Sequence, residues 1–481
     1  MEPIGRRQAL QLGALSLAGV AVGGTGLIRR SVAPFALESG GALAEPPVLR
    51  SRDGVLRVEL EAAQRELELA GRRATVLSFN GGLPGPTLRL RPGDRLRVTM
   101  VNRLSAPTNL HVHGLHVSPT GNSDNPFVTI DPGEKFDYDY RLPGDHPPGT
   151  YWYHPHHHGR VADQVFGGLY GAIIVSDDPA VPSTRERLLI VSDITLDAAG
   201  HVATTTRGAA MMGREGDLLL VNGQFSPQLS ARPGERERWR VVNTCTSRYL
   251  RLALPGQQLQ LLGIDSEALP RPLEVDEVLL APGNRADLLV TTRTGLSTLR
   301  AQGYDRGSMG MMGGSSAPSN RAATLATLTV EGSPVPSQPD LPDRPSPADL
   351  RGQRLARRRE LTMGMGMGMG MGMGMGFTID GKEFDLRRID QSVRAGAIEE
   401  WTIRNTSPMD HPFHLHVWRM QVIEQDGAPV DGPRWCDVVN VPAGGQAVVR
   451  IAFGTFTGRT VYHCHILDHE DAGMMGVLEV T

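Results

Sequence analysis

Ten of the 15 histidines in this 481-residue chain fall into four dense motifs. These are His111-Val112-His113, His154-Pro155-His156, His411-Pro412-Phe413-His414-Leu415-His416, and His463-Cys464-His465 with His469 close behind. Side chains two apart on a strand share a face, so each His-x-His pair can offer two imidazoles to one site. Two pairs come from the first third of the chain and two from the last, so a site using all eight rings has to join distant segments. Cys464 lies between two histidines and therefore points the opposite way, toward a different metal. With His411, His469 and Met474 it makes a set of two imidazoles, a thiolate and a weak thioether, the donor set of a blue-copper electron-transfer site. The two metal sites are then joined by adjacent residues and lie roughly 10–15 Å apart. Such a pair separates one-electron intake from multi-electron chemistry at a cluster. A single His-x-His carries little weight; four in series, the last with a central cysteine, carry the argument.

The elements that must hold these residues repeat along the chain. A Gly-bearing turn, a strand, a Pro-Gly or Ala-Gly step and a charged strand ending in Asn runs from Asn80 through Pro92-Gly93 to Asn102. It recurs from Asn222-Gly223 through Pro233-Gly234 to Asn243, and from Asp380-Gly381 through Ala395-Gly396 to Asn405. Each copy has a second half opening on a turn: Asp131-Pro132-Gly133, Ala281-Pro282-Gly283 and Pro442-Ala443-Gly444. A spacing this long fits three copies of one domain rather than a solenoid. Alternating stretches such as Thr87–Val101 and Ala447–Phe453, punctuated by 57 Gly and 35 Pro, predict an all-β protein of sandwiches or Greek-key barrels. The expected boundaries are a leader at 1–44 and domains at 45–178 and 179–333. A Pro-rich and basic linker at 334–360, with Arg357-Arg358-Arg359 read as solvated, precedes a third domain at 361–481.

With 49 basic against 52 acidic residues, nothing points to nucleic acid or an anionic membrane surface. Arg6-Arg7, an uncharged Gly-rich run from Leu12 to Ile28 and Ala42-Leu43-Ala44 before Glu45 read as a twin-arginine export signal with a cleavage site. A retained anchor is the alternative, although the run is weakly apolar for a span. Export by that machinery predicts a periplasmic or extracellular protein. Three cysteines make no disulfide framework; Cys245 and Cys436 read as buried small residues, with a bond between them left open.

The four motifs, together with Trp152-Tyr153-His154-Pro155-His156 and His463-Cys464-His465-Ile466-Leu467-Asp468-His469-Glu470-Asp471-Ala472-Gly473-Met474-Met475, resemble those of the multicopper oxidases, most closely the bacterial periplasmic branch. The resemblance spans essentially the whole mature chain. It implies three consecutive cupredoxin-like Greek-key barrels and four copper ions. A type 1 copper would be held by His411, Cys464, His469 and Met474; the family's four-residue gap after His469 selects Met474 over Met475. A type 2 copper would take His111 and His414. Two type 3 coppers would take His113, His154, His156, His416, His463 and His465. His116, His146, His157, His158 and His201 are expected not to be ligands. Glu470 and Asp124 would match acids that pass protons toward the cluster, or carboxylates that fix ligand imidazoles. Asp437 would match a donor-contacting carboxylate near the type 1 copper, or be a turn residue.

Met363, Met365, Met367, Met369, Met371, Met373 and Met375 alternate with glycine, and Met309, Met311 and Met312 lie in a second Gly-rich stretch. Alternation puts the sulfurs on one side if extended, but the glycines argue against a fixed strand. Soft thioethers favour Cu(I), and cuprous oxidases of this branch carry a Met-rich insert in this region. The expectation is an enzyme, most naturally monomeric, that reduces O2 with electrons from Cu(I). The alternatives are a laccase acting on phenols and aromatic amines, and a non-catalytic copper-binding periplasmic protein.

Overall fold

The computed structural model describes residues 40–177, 179–265, 267–307, 321–341, 343–367, 375–454 and 456–481. Three turns of one build recur in it. Asn80-Gly81, Asn222-Gly223 and Asp380-Gly381 have φ of 55° and 76°, 52° and 75°, and 54° and 70°. Two successive positive φ values make the hairpin turn that Asn, Asp and Gly tolerate. The closing asparagines of the three sequence copies also do the same work. The Asn102 amide donates to Ala106 O and Ile130 O, that of Asn243 to Arg248 O and Leu280 O, and that of Asn405 to Met409 O and Val441 O. Each is buried, so a side-chain amide satisfies carbonyls that a loop would otherwise leave unpaired.

Each repeat is a pair of sheets closed over its own apolar core. In the first, strands Arg72–Phe79, Val55–Leu69, Arg95–Asn102 and Lys135–Arg141 form one sheet. Val48–Arg50, Thr87–Leu90, Gly171–Val175, Gly149–His154 and His111–His113 form the other. In the third, Met375–Ile379, Arg357–Met367, Ile398–Asn405, Gln446–Ala452, Met420–Gln425 and Ala428–Cys436 face Gln391–Val393, Met475–Val480, Gly458–Cys464, His411–Leu415 and Val438–Val441. Parallel and antiparallel neighbours mix in both, as Greek-key crossovers require. The second and third repeats share a buried brace. Arg187 and Trp239 Nε1 both donate to the Glu237 carboxylate, and Arg359 and Trp401 Nε1 to that of Glu399.

Two expectations change here. Arg357 opens a strand parallel to Ile398–Asn405 and the Arg359 side chain packs on Glu399, so the basic run belongs to the third sandwich rather than to a linker, while Arg357 and Arg358 stay exposed to solvent as expected. The described parts of the Met-Gly alternation are also strands. Met363 pairs with Ile379, Met365 with Phe377 and Met367 with Met375. Period-two alternation drives Met363 wholly into the core and packs Met365 against it, and burial of thioether chains outweighs the entropy of fixing glycine. Met363 is therefore not open to a donor in solution. Met369, Met371, Met373 and the Met309–Met312 group lie outside the described residues, as do Arg6-Arg7 and the run to Ile28. Ala42-Leu43-Ala44 runs beside the second repeat, with Leu43 N donating to Gln228 O and Ala44 N to Gln224 Oε1. Among the described residues no helix is long and apolar enough to cross a membrane.

Candidate metal centres

Strand register assembles the first centre. His111 lies across from His154 and His414 across from His463, each pair on adjacent antiparallel strands. Rings from the first and third repeats then stack on each other: His111 on His416 with centroids 3.8 Å apart, and His113 on His414 at 3.9 Å. His465 reaches the same space, 5.0 Å from His113 and 5.6 Å from His414. Gly283 of the second repeat, at φ 87°, lets the chain pass this ring; a Cβ there would sit 3.0 Å from it.

Hydrogen bonds fix which nitrogen faces inward on five of the eight rings. His111 Nδ1 is held by Asp124 Oδ1 at 3.0 Å, His154 Nδ1 by Pro155 O at 2.8 Å, His414 Nδ1 by Asp437 O at 2.7 Å and His463 Nδ1 by Cys464 O at 2.9 Å. His113 is held the other way, through Nε2 to Asp437 Oδ1 at 2.9 Å. An imidazole whose N–H is anchored presents a bare lone pair on its other nitrogen. His111 Nε2, His113 Nδ1, His154 Nε2, His414 Nε2, His416 Nδ1 and both His465 nitrogens are buried without a protein partner. His463 Nε2 faces His156 Nε2 at 3.1 Å and His416 Nε2 at 3.2 Å. So many buried lone pairs converging on each other are costly unless a cation joins them. Burial first, and crowding by neighbouring rings second, push His111, His113 and His416 well below the ordinary imidazole range. The rings are thus neutral, the form that binds metal. An all-imidazole set of this kind suits copper.

The second centre lies inside the third repeat. His411 Nδ1 is 3.3 Å from Cys464 Sγ, His469 Nδ1 is 3.9 Å from it, and the two nitrogens are 3.4 Å apart. The backbone closes the set: Cys464 N donates to Met474 O and Met474 N to His469 O. Met474 is fully buried. His469 Nε2 lies 3.2 Å from Met211 O of the second repeat, and Phe377 of the Met-Gly hairpin stacks on its ring. Burial pushes the Cys464 thiol far up, so a thiolate here needs a bound cation.

The acids divide by position. Glu470 is fully buried, 3.3 Å from His156 Nε2 and 3.1 Å from His463 Nδ1, and desolvation raises it to about 7. Asp124 touches His111 and accepts from Val112 N, and burial lifts it to about 8. Asp437 departs from its expected place. It is 2% exposed, holds His113 and His414 of the cluster, and is gripped by Arg285, so no donor outside the protein reaches it. The carboxylate next in sequence to His411 is Asp410, which accepts from Tyr304 Oη at 2.6 Å and Asn440 Nδ2 at 3.0 Å. Arg285 and Asp265, also unforeseen, belong to a repeat without any ligand motif. The only sequence signal near them is the repeated turn Ala281-Pro282-Gly283. His116, His146, His157, His158 and His201 stand outside the close ligand groups; so does His465, whose ring nonetheless lies 5.0 Å from His113 and 5.7 Å from His463. Cys245, Cys436 and Cys464 are free and buried, which closes the question of a disulfide.

Three β-sandwiches in series, with a buried site of one cysteine and two histidines one residue from an eight-imidazole cluster, define a copper redox protein. Multicopper oxidase family models match residues 61–180, 185–332 and 356–481. The multicopper oxidase mco of Staphylococcus haemolyticus is 30% identical, covering 85% of this chain and 84% of its own. The cell division protein FtsP of Salmonella typhimurium is also 30% identical, over 93% of this chain and 92% of its own. A solved structure described as a multicopper oxidase from Campylobacter jejuni, a metallo-oxidase, superposes with a TM-score of 0.81 at 31% identity, over 93% and 96% of the two chains. The chain belongs to the multicopper oxidase family. Membership implies copper, O2 and a reducing substrate.

Proposed function

We propose that the chain oxidises Cu(I) at a type 1 site of His411, Cys464, His469 and Met474. A type 2 copper would be held by His111 and His414, and two type 3 coppers by His113, His154, His156, His416, His463 and His465. The observation that carries this reading is the single tripeptide His463-Cys464-His465, whose sulfur faces one ligand set while its two imidazoles face the other. When bound, copper accepts electrons singly at the thiolate and delivers them to O2 at the cluster. Four one-electron oxidations, one O2 and four protons give two waters. The chain's own contribution is to exclude water, to fix His111, His113, His154, His414 and His463 by their second nitrogens, and to hold protons. Glu470, at about 7, can both carry and release a proton near neutrality, and Asp124 does so beside His111.

Cu(I) as donor is supported by the methionines beyond Met367 and by the metallo-oxidase likeness. Domains are proposed at 45–178, 179–333 and from Arg357 to the C-terminus, with twin-arginine export of the protein to the periplasm or cell exterior. A laccase role is the second reading. The likeness to FtsP raises a non-catalytic copper-binding role, which would use the same bare nitrogens but has no need for the His463-Cys464-His465 link between the two centres. Oxygen uptake by copper-loaded protein decides among them, comparing kcat/KM for stabilised Cu(I) and for a dimethoxyphenol. Preference for Cu(I) is expected, and removal of residues 368–374 should lower Cu(I) turnover more than phenol turnover. Preference for the phenol makes it a laccase, and no uptake with a full copper complement supports the non-catalytic role.

A further inference from the structure

Among the described residues the second repeat contributes no ligand to either centre, yet its Arg285 side chain is wholly buried between the other two repeats. Its fork is bidentate on Asp437, Nη1 to Oδ1 at 2.5 Å and Nη2 to Oδ2 at 2.6 Å. Arg285 Nε donates to Thr150 O of the first repeat at 2.9 Å, and Nη1 to Gly283 O at 3.2 Å. Asp265, also of the second repeat, accepts from Asp437 N at 2.9 Å and Val438 N at 3.2 Å, and from Arg285 N at 3.1 Å. Asn284 donates to Asp265 Oδ1 and to Val438 O. The carboxylate so clamped meets His113 Nε2, and its backbone carbonyl meets His414 Nδ1. One ring belongs to the first repeat and one to the third, and they are stacked on each other.

We propose that Arg285 is a positioning residue for the cluster: through Asp437 it sets the tautomer and tilt of His113 and the seat of His414, and so fixes the first and third repeats at the spacing that copper requires. The chemistry favours arginine specifically. A lysine would supply charge but only one direction of contact, whereas the planar fork fixes both carboxylate oxygens. His113 is the ring anchored through Nε2, so its metal-facing atom is Nδ1, and the clamped Asp437 carboxylate is the acceptor that selects that tautomer. The second repeat then has a purpose that a ligand count misses: it is the jig on which the two ligand-bearing repeats are aligned.

The inference rests on the copper reading above, and the test separates the two. Wild type, Arg285→Met, Arg285→Lys and Asp437→Asn are copper-loaded and compared by copper per chain, blue absorption, the electron paramagnetic resonance of type 2 copper, O2 turnover and Tm. A wild type without blue absorption sinks the copper reading. Given that absorption, Arg285→Met is expected to keep it while cluster copper or O2 turnover falls ~10–100-fold, the usual cost of losing a group that orients a ligand. Arg285→Lys should fall between, and Asp437→Asn should reproduce the Arg285→Met result with an altered type 2 signal. Variants that lose Tm yet keep cluster copper and turnover within about twofold overturn the proposal, since a mere brace behaves so. If Arg285→Met does not fold, the near-isosteric Asp437→Asn decides alone: an unchanged cluster signal overturns it.

Discussion

The two candidate metal centres share a tripeptide and differ in almost everything else. The Cys464 site draws on one repeat, with His411, Cys464, His469 and Met474 brought together by the pairing of adjacent strands and a five-residue helix, Leu467–Asp471. The eight-imidazole cluster draws on two repeats and is braced by a third, so its geometry depends on how whole domains dock. The first centre can thus survive changes that scatter the second, and the reverse is limited to the shared residues. A local site tolerates drift between domains; an interface site needs a clamp, and Arg285 with Asp437 provides one.

The largest predicted break in that comparison is Cys464→Ser. It is expected to abolish blue absorption and turnover while leaving cluster copper largely in place; persistence of the blue band would remove Cys464 from the type 1 site. Next, Glu470→Gln should lower turnover by ~100-fold with both copper signals retained, the size typical of losing a proton-transferring group. Asp124→Asn should cost less, ~10-fold, because it also orients His111, whose tautomer an amide can still support through its oxygen. Single-turnover kinetics with reduced enzyme and O2 would measure both, and equal rates in mutant and wild type would rule out the proton role.

The smallest effect is one of pH on metal-free protein. Burial holds His411 at about 3, and His156 and His463 at about 4, against an ordinary value of about 6.5. The unfolded chain therefore binds more protons than the native one below that value, so stability falls as pH drops through about 6.5 to 4. Glu470 and Asp124 act in the opposite sense. Their folded values of about 7 and about 8 mean that the native state holds extra protons above the ordinary carboxylate range, so stability also falls as pH rises toward 8. The histidines outnumber these two acids and dominate below about 6.5, the acids above it. Calorimetry of the metal-free protein should find Tm highest near that pH, and a flat profile would mean the rings are not held neutral.

Much of this was legible in the residues. The ligand motifs announce themselves because period-two geometry needs His-x-His and because a cysteine between two histidines can only face away from them. The triplication was readable too, since Asn80, Asn222 and Asp380 must each take positive φ and Asn102, Asn243 and Asn405 must each satisfy a loop. Alternation of Met with Gly could not say whether the strand was buried; the pairing of Met363 with Ile379 inside the core settled that. Asp437 was singled out by its place in a motif but put beside the wrong centre, because a carboxylate's partner depends on which strand packs opposite it.

The sequence by itself determined the chemistry: which side chains can bind copper, and that one tripeptide serves two sites, because ligand type and strand period are local properties. Only the tertiary structure decided which nitrogen of each anchored ring faces inward, that Glu470 and Asp124 are buried enough to hold protons near neutrality, and that Arg285 of a repeat without a ligand motif grips the cluster. Those depend on desolvation and on contacts between residues more than a hundred positions apart, such as Arg285 with Asp437, and no local pattern encodes them.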